Sequence, residues 1–212
     1  MRHEPAERIP AFTDAVVAIA MTLLILPLLD SVGEAARANH TATQWLADNA
    51  VGFVPFAISF VIISSFWRSH NRLFSVVEQI GLPLYNANMA WLTCIVIQPV
   101  TTAISGLPGR GAVQLALYAG GLALTSWMMV AMVWTLRRDP RQIRAGAAVS
   151  PRVIAGSWNT AVGFTIVLIL AVVFPEIGYL WFFGMFVLTF TVRWLAKRVR
   201  PIESTAVSPE AS

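Results

Sequence analysis

The sequence predicts an all-α membrane protein with six transmembrane helices and both ends in the cytoplasm. Three observations predict it. Of its 212 residues, 57% are hydrophobic and only 12% charged, against about 25% charged in a soluble domain, and the mean hydropathy is +0.66. The apolar residues fall into six runs of the length that crosses a ~30 Å hydrocarbon core, roughly 20 residues at 1.5 Å each. The basic residues are also unevenly placed between the runs.

The runs are read at 9–30, 50–70, 82–105, 112–136, 152–174 and 178–196. The first is long for a leader core and carries Asp14 inside it, so it is read as a retained span and not as a removable signal peptide, although Ala36-Arg37-Ala38 has the small-residue look of a cleavage site. A loop from Ser31 to Asn49 follows, too short to build a soluble core. Gly106-Leu107-Pro108-Gly109 is a turn between the third and fourth runs, and Ser150-Pro151 reads as an N-cap followed by proline in the first helical position. Pro175-Glu176 separates the last two runs. Residues 1–200 form the membrane domain, and 201–212, rich in Pro, Ser, Ala and Glu, form a disordered cytoplasmic tail.

Orientation follows from the arginines. With the N-terminus inside, Arg2, Arg8, Arg68, Arg72, Arg137, Arg138, Arg141, Arg144, Arg152, Arg193, Lys197, Arg198 and Arg200 are cytoplasmic, and only Arg37 and Arg110 are external. This placement at the ends of apolar runs also accounts for the net charge of +4 without a nucleic-acid partner. The run from Arg137 to Arg152 is placed to meet anionic lipid head groups. The single cysteine, Cys94, excludes an intrachain disulfide, and His3, His40 and His70 have no metal-ligand spacing. No nucleophile–base pair or phosphate loop occurs at a consistent depth, so neither an enzyme nor a cofactor is expected.

The first run holds the unusual chemistry. An ionisable side chain within a span is a functional hypothesis whose partner should be named. Asp14 is six residues past Arg8, about 9 Å deeper at helical rise. The second run descends to Trp67, Arg68 and His70, and the third reaches Asn88 about two turns in, so Thr13, Asp14, Trp67, His70 and Asn88 can meet near the cytoplasmic face. Indole, imidazole and amide donors would make a buried carboxylate tolerable there. At about 100° per residue, Ile19, Thr22, Leu23 and Leu26 share a stripe, and Asp14 lies about 140° from Ile19. Such a stripe faces either lipid or the same stripe of neighbouring subunits.

At these residues the sequence resembles a known family. Arg8, with Phe12-Thr13-Asp14 after three intervening residues, resembles the Arg-x-x-x-Phe-Ser-Asp signature of the transmembrane protein 175 family of potassium channels, with Thr13 in place of the usual Ser. Ile19, Thr22, Leu23 and Leu26 continue like that family's first helix. Trp67, His70, Arg72 and Phe74 resemble the end of its second, and Asn88 with Pro99 its third. The resemblance implies a homotetramer of six-helix subunits in a prokaryotic plasma membrane, with first helices lining a central potassium-permeable pore. Ile19 is then the narrowest ring, Leu23 and Leu26 are further apolar layers, and Thr22 is the polar lining residue. Arg8, Phe12, Thr13 and Asp14 would pack against Trp67, His70 and Asn88 to hold the pore helix. No Thr-Val-Gly-Tyr-Gly filter is present, so selectivity would rest on the apolar constriction. Two other classes remain open from the residues alone: a proton pathway or small transporter using Asp14 and His70, and a non-conducting membrane interaction protein in which the stripe only packs.

Overall fold

The computed structural model describes residues 4–5, 8–107 and 111–177, with isolated positions at 180 and 184. The chain divides at Gly178 into two units, and the first is described here. The sixth predicted span, the tail after Pro201, and Pro108 to Arg110 of the predicted turn lie outside the described residues.

The first unit is helical apart from two two-residue strands. In order it comprises β1 (Glu4–Pro5), α1 (Arg8–Leu23), α2 (Leu26–Arg37), α3 (Ala42–Asn49), α4 (Phe53–Phe74), β2 (Gln79–Ile80), α5 (Leu82–Ser105), α6 (Ala112–Arg138) and α7 (Pro151–Val173). Four helical stretches are long and apolar enough to cross a membrane: Arg8–Arg37 counted as one, α5, α6 and α7. A fifth is gained if α3 and α4, bent by 65°, form one span. The chain is therefore a multi-pass membrane protein by length and composition.

The predicted loop from Ser31 to Asn49 is instead largely helical, occupied by the end of α2 and by α3. Counting apolar residues stops at Asp30, but nothing from Ser31 to Arg37 breaks a helix except Gly33, and Ala35 and Ala36 favour one. Thr41 then caps α3: its hydroxyl accepts from Gln44 N, and the Gln44 side chain accepts from Thr41 N in return. Pro27 explains the break between α1 and α2, because it has no N–H to offer and its ring crowds the carbonyl four residues back. The chain bridges the gap with tight turns, Ile25 N donating to Thr22 O and Leu28 N to Ile25 O.

The core is built on α6, which packs against α5 on one side and α7 on the other. Tyr118, Ala119, Leu122, Met132 and Leu136 are all essentially inaccessible. Gly121 allows the close approach of α5, since a Cβ there would come within 3.1 Å of Gln98 Nε2. Polar groups inside these helices find each other, as an apolar surrounding requires. The Ser59 hydroxyl lies 2.9 Å from that of Thr102 and 2.8 Å from that of Tyr118, and Gln98 Nε2 donates to Thr125 Oγ1.

Three connections are joined on one side of the unit. β1 pairs antiparallel with β2, Glu4 opposite Ile80 and Pro5 opposite Gln79. Val77 bridges Ile143 in the α6–α7 loop. Glu78 N donates to Gln142 O at 2.8 Å, Arg144 N to Val76 O at 2.9 Å, and Gly81 N to Gln142 Oε1 at 2.8 Å. The segment before α1, the α4–α5 connection and the α6–α7 connection thus share a face, as helices that cross in alternating directions require.

Candidate functional site

The site is the environment of α1, which packs on α5 and α4. Its buried residues, Ile9, Thr13, Val17 and Ala20, recur at helical spacing and continue through Leu24 and Leu28. The side facing away is bare and apolar. Ile19 is 58% exposed, Leu23 38%, Leu26 45% and Phe12 54%.

The buried side is anchored by two sets of hydrogen bonds. In one, the carboxamide of Asn88 spans two helices: Nδ2 donates to Thr13 Oγ1 at 3.1 Å, and Oδ1 lies 2.7 Å from His70 Nε2. With an acceptor-only oxygen facing the ring, Nε2 carries the proton. All three residues are completely buried. His70 is also held between aromatic faces, its ring centroid 4.2 Å from that of Phe74 and 4.7 Å from that of Trp91. His70 Nδ1 and Trp91 Nε1 are buried without a hydrogen-bond partner. In the other set, Trp67 Nε1 donates to Asp14 Oδ1 at 2.8 Å. Turned so that its nitrogen faces Asp14, the Asn71 carboxamide also donates to Oδ1, at 3.1 Å.

The structure therefore brings together Thr13, Asp14, Trp67, His70 and Asn88. It divides them, however: His70 bonds to Asn88 and not to the carboxylate, which indole and amide hold instead. Asp14 is half-buried, not enclosed. Arg8 and Phe12 stand outside the cluster in the protomer. Arg8 is exposed, and Phe12 is seven residues before Ile19, two turns away, which puts it on the bare side. Thr22 is exposed, and its hydroxyl donates to Ile19 O at 2.7 Å. Leu26 belongs to α2, beyond the break at Leu24 and Ile25. Asn71 is the site residue that sequence reasoning overlooked; its place four residues after Trp67, on the same helix face, was the available signal. Among the described residues, no three His, Cys, Asp or Glu side chains converge to hold a metal ion.

Fold and site together define a helical multi-pass membrane protein whose first helix is tied down along one face and, among the described residues, apolar and unpartnered along the other. Residues 8–99 match the family described as endosomal/lysosomal potassium channel TMEM175. A potassium channel of Streptomyces collinus is 29% identical over 157 residues, covering 69% of this chain and 73% of the relative. A potassium channel of a Chryseobacterium species is 25% identical over 121 residues, 56% of this chain and 58% of the relative. The endosomal/lysosomal proton channel TMEM175 of Danio rerio is 27% identical over 101 residues, which span only 19% of its length. The crystal structure of a lysosomal potassium-selective channel TMEM175 homolog from Chamaesiphon minutus superposes with a TM-score of 0.63 at 23% identity, covering 92% of this chain and 98% of that one. At that identity the likeness establishes a shared fold. The relatives are ion channels, a non-enzymatic class.

Proposed function

We propose that this protein is a potassium-permeable cation channel of a prokaryotic plasma membrane, assembled as a homotetramer whose first helices line the pore. The observation that carries the reading is the bare stripe of Ile19, Leu23 and Leu26 on a helix whose opposite face is fixed by Thr13 and Asp14. A helix held in this way keeps its apolar side chains at a set distance from a symmetry axis. Four Ile19 side chains converging on that axis exclude water, so an ion must shed hydration to pass. Sodium binds its hydration shell more tightly than potassium and meets the larger barrier. Thr22 gives its hydroxyl hydrogen to Ile19 O, which leaves oxygen lone pairs toward the lumen between two apolar layers. The names of the two bacterial relatives support potassium as the permeant ion.

The test is the bi-ionic reversal potential in planar bilayers. Ile19→Asn, by wetting the ring, should let sodium permeate nearly as well as potassium, with current maintained or increased. Leu23→Asn should act less. Ile25→Asn, about 120° around the helix from Ile19 and half-buried, should leave ion preference unchanged. An unaltered reversal potential in a conducting Ile19→Asn channel would return the stripe to lipid.

A proton route is the second reading, favoured by the proton-channel name of the animal relatives. It cannot run through Thr13, Asn88 and His70, because a carboxamide does not relay protons between its nitrogen and its oxygen. A proton path would have to use the water column or the half-buried Asp14.

A further inference from the structure

The cleft where α6 and α7 meet their connecting loop is built for an anionic, partly apolar ligand. A cavity of about 430 Å³ opens there, with Ile143 and Ile154 contributing apolar surface and Arg137 and Arg144 the cationic groups. Both arginines are exposed. From Arg137 to Arg152 there are five arginines against one acidic residue, Asp139. Asp139 neutralises none of them: its carboxylate accepts from the Arg141 backbone N and the Gln142 side chain. Arg138 lies on the Trp134 ring, 3.5 Å from its centroid. Among the described residues, the ion pair present is His40 with Asp48, in a different part of the chain. Among the described residues, Arg137 and Arg144 thus stand without a counter-charge.

The wall that carries Arg144 is fixed before any ligand arrives. Its N–H is bonded to Val76 O, its carbonyl accepts from Ala147 N at 2.9 Å, and Gly146 closes the turn with φ +76°, a backbone conformation suited to glycine. The neighbouring Ile143 is bridged to Val77. Position then selects the ligand. Arg137 is at the end of one candidate span and Ile154 in the first turn of the next, so the cleft sits where hydrocarbon meets head groups. A soluble anion would leave the exposed parts of Ile143 and Ile154 wet, whereas a phospholipid places its phosphate on the arginines and its glycerol and upper acyl segments on those side chains.

We propose that this cleft is a binding site for an anionic phospholipid, with Arg137 and Arg144 holding the phosphate. The site rests on membrane placement and not on conduction, so it stands or falls independently of the channel reading. The experiment is native mass spectrometry of the purified full chain titrated with phosphatidylglycerol and, separately, with phosphatidylcholine of the same acyl chains. The parent should prefer phosphatidylglycerol. At about fivefold per arginine, Arg137→Gln with Arg144→Gln should weaken that lipid roughly 25-fold. Arg141→Gln with Arg152→Gln removes the same charge outside the cleft and should cost much less. Ala148→Trp, which fills the cleft and leaves every arginine in place, should also abolish the preference. Inorganic phosphate in large excess should not displace the lipid. The proposal is overturned by equal loss in the two double variants, which indicates a diffuse basic field. It is equally overturned by displacement with phosphate, by full binding in Ala148→Trp, or by no preference in the parent. Should the first pair fail to fold, the parent's lipid preference and Ala148→Trp still decide the matter.

Discussion

Truncating Asn88 to alanine removes a group that joins α1 to α4 through α5, and the cost can be worked from the site. Two hydrogen bonds go, at 2.7 Å to His70 and 3.1 Å to Thr13. Their partners differ in what they can do next. Thr13 can turn its hydroxyl to a carbonyl one turn back in its own helix, so its loss should be near the ~0.6 kcal/mol average for interhelical bonds in a bilayer. His70 has no such freedom, because Phe74 and Trp91 clamp its ring and its Nδ1 already lacks a partner. Orphaning a buried donor costs roughly 1–3 kcal/mol. The sum is about 2–4 kcal/mol, which at ~2–4 °C per kcal/mol lowers the apparent Tm by roughly 4–16 °C. Size-exclusion chromatography of heated, detergent-solubilised protein measures it. Asn88→Leu combined with His70→Phe removes both polar partners and keeps the aromatic stack, so it should recover at least half of the loss. An Asn88→Ala protein that melts with the parent, or a combined variant with simply additive losses, would refute the reasoning.

Two further predictions follow from the same geometry. Trp67→Phe removes the indole donor and Asp14→Asn the charge, so each should reduce recovery of assembled protein while leaving the potassium-to-sodium reversal potential of the surviving channels unchanged; normal assembly of Asp14→Asn with loss of proton flux alone would favour the proton route. In a Cys94→Ser background, His40→Cys should react with an impermeant maleimide in intact cells, whereas Gln79→Cys, Ala145→Cys and Thr205→Cys should react only after permeabilisation. External labelling at 145 would reverse the topology.

The helix boundaries were legible where the chain punctuates itself. The third span was read at 82–105, as found, and the fourth within two residues of its end, because glycine and proline bracket both apolar runs. The end of the first was not legible: a bilayer-length count stops at an aspartate, whereas helix propensity carries the chain on to Arg37. Depth arithmetic from arginine-marked ends was enough to bring Asp14, Trp67, His70 and Asn88 to one level. It could not say which donor meets which acceptor, since that depends on helix rotation, and the imidazole went to the carboxamide. The Ser59–Thr102–Tyr118 contact and the pairing of Glu4 with Ile80 left no readable trace. A single hydroxyl or a two-residue strand has no period, and its partner is chosen by tertiary packing.

The seam joining residues 4–5, 76–81 and 142–144 bears on how the protein is made. The first helix is synthesised first, yet each contact that orients it comes later: Trp67, then Asn88, with the loop around Gln142 closing the seam last. From Asp14 to Trp67 is 67 − 14 = 53 residues, with Asn71 four further on, several seconds of translation at roughly 5–20 residues per second. During that interval the carboxylate is in or near the bilayer with neither indole nor amide to hold it. Its place six residues after Arg8, under two turns from the start of α1, would keep it within reach of water and head groups and make the wait tolerable. The depth of Asp14 thus serves the nascent chain as well as the finished one.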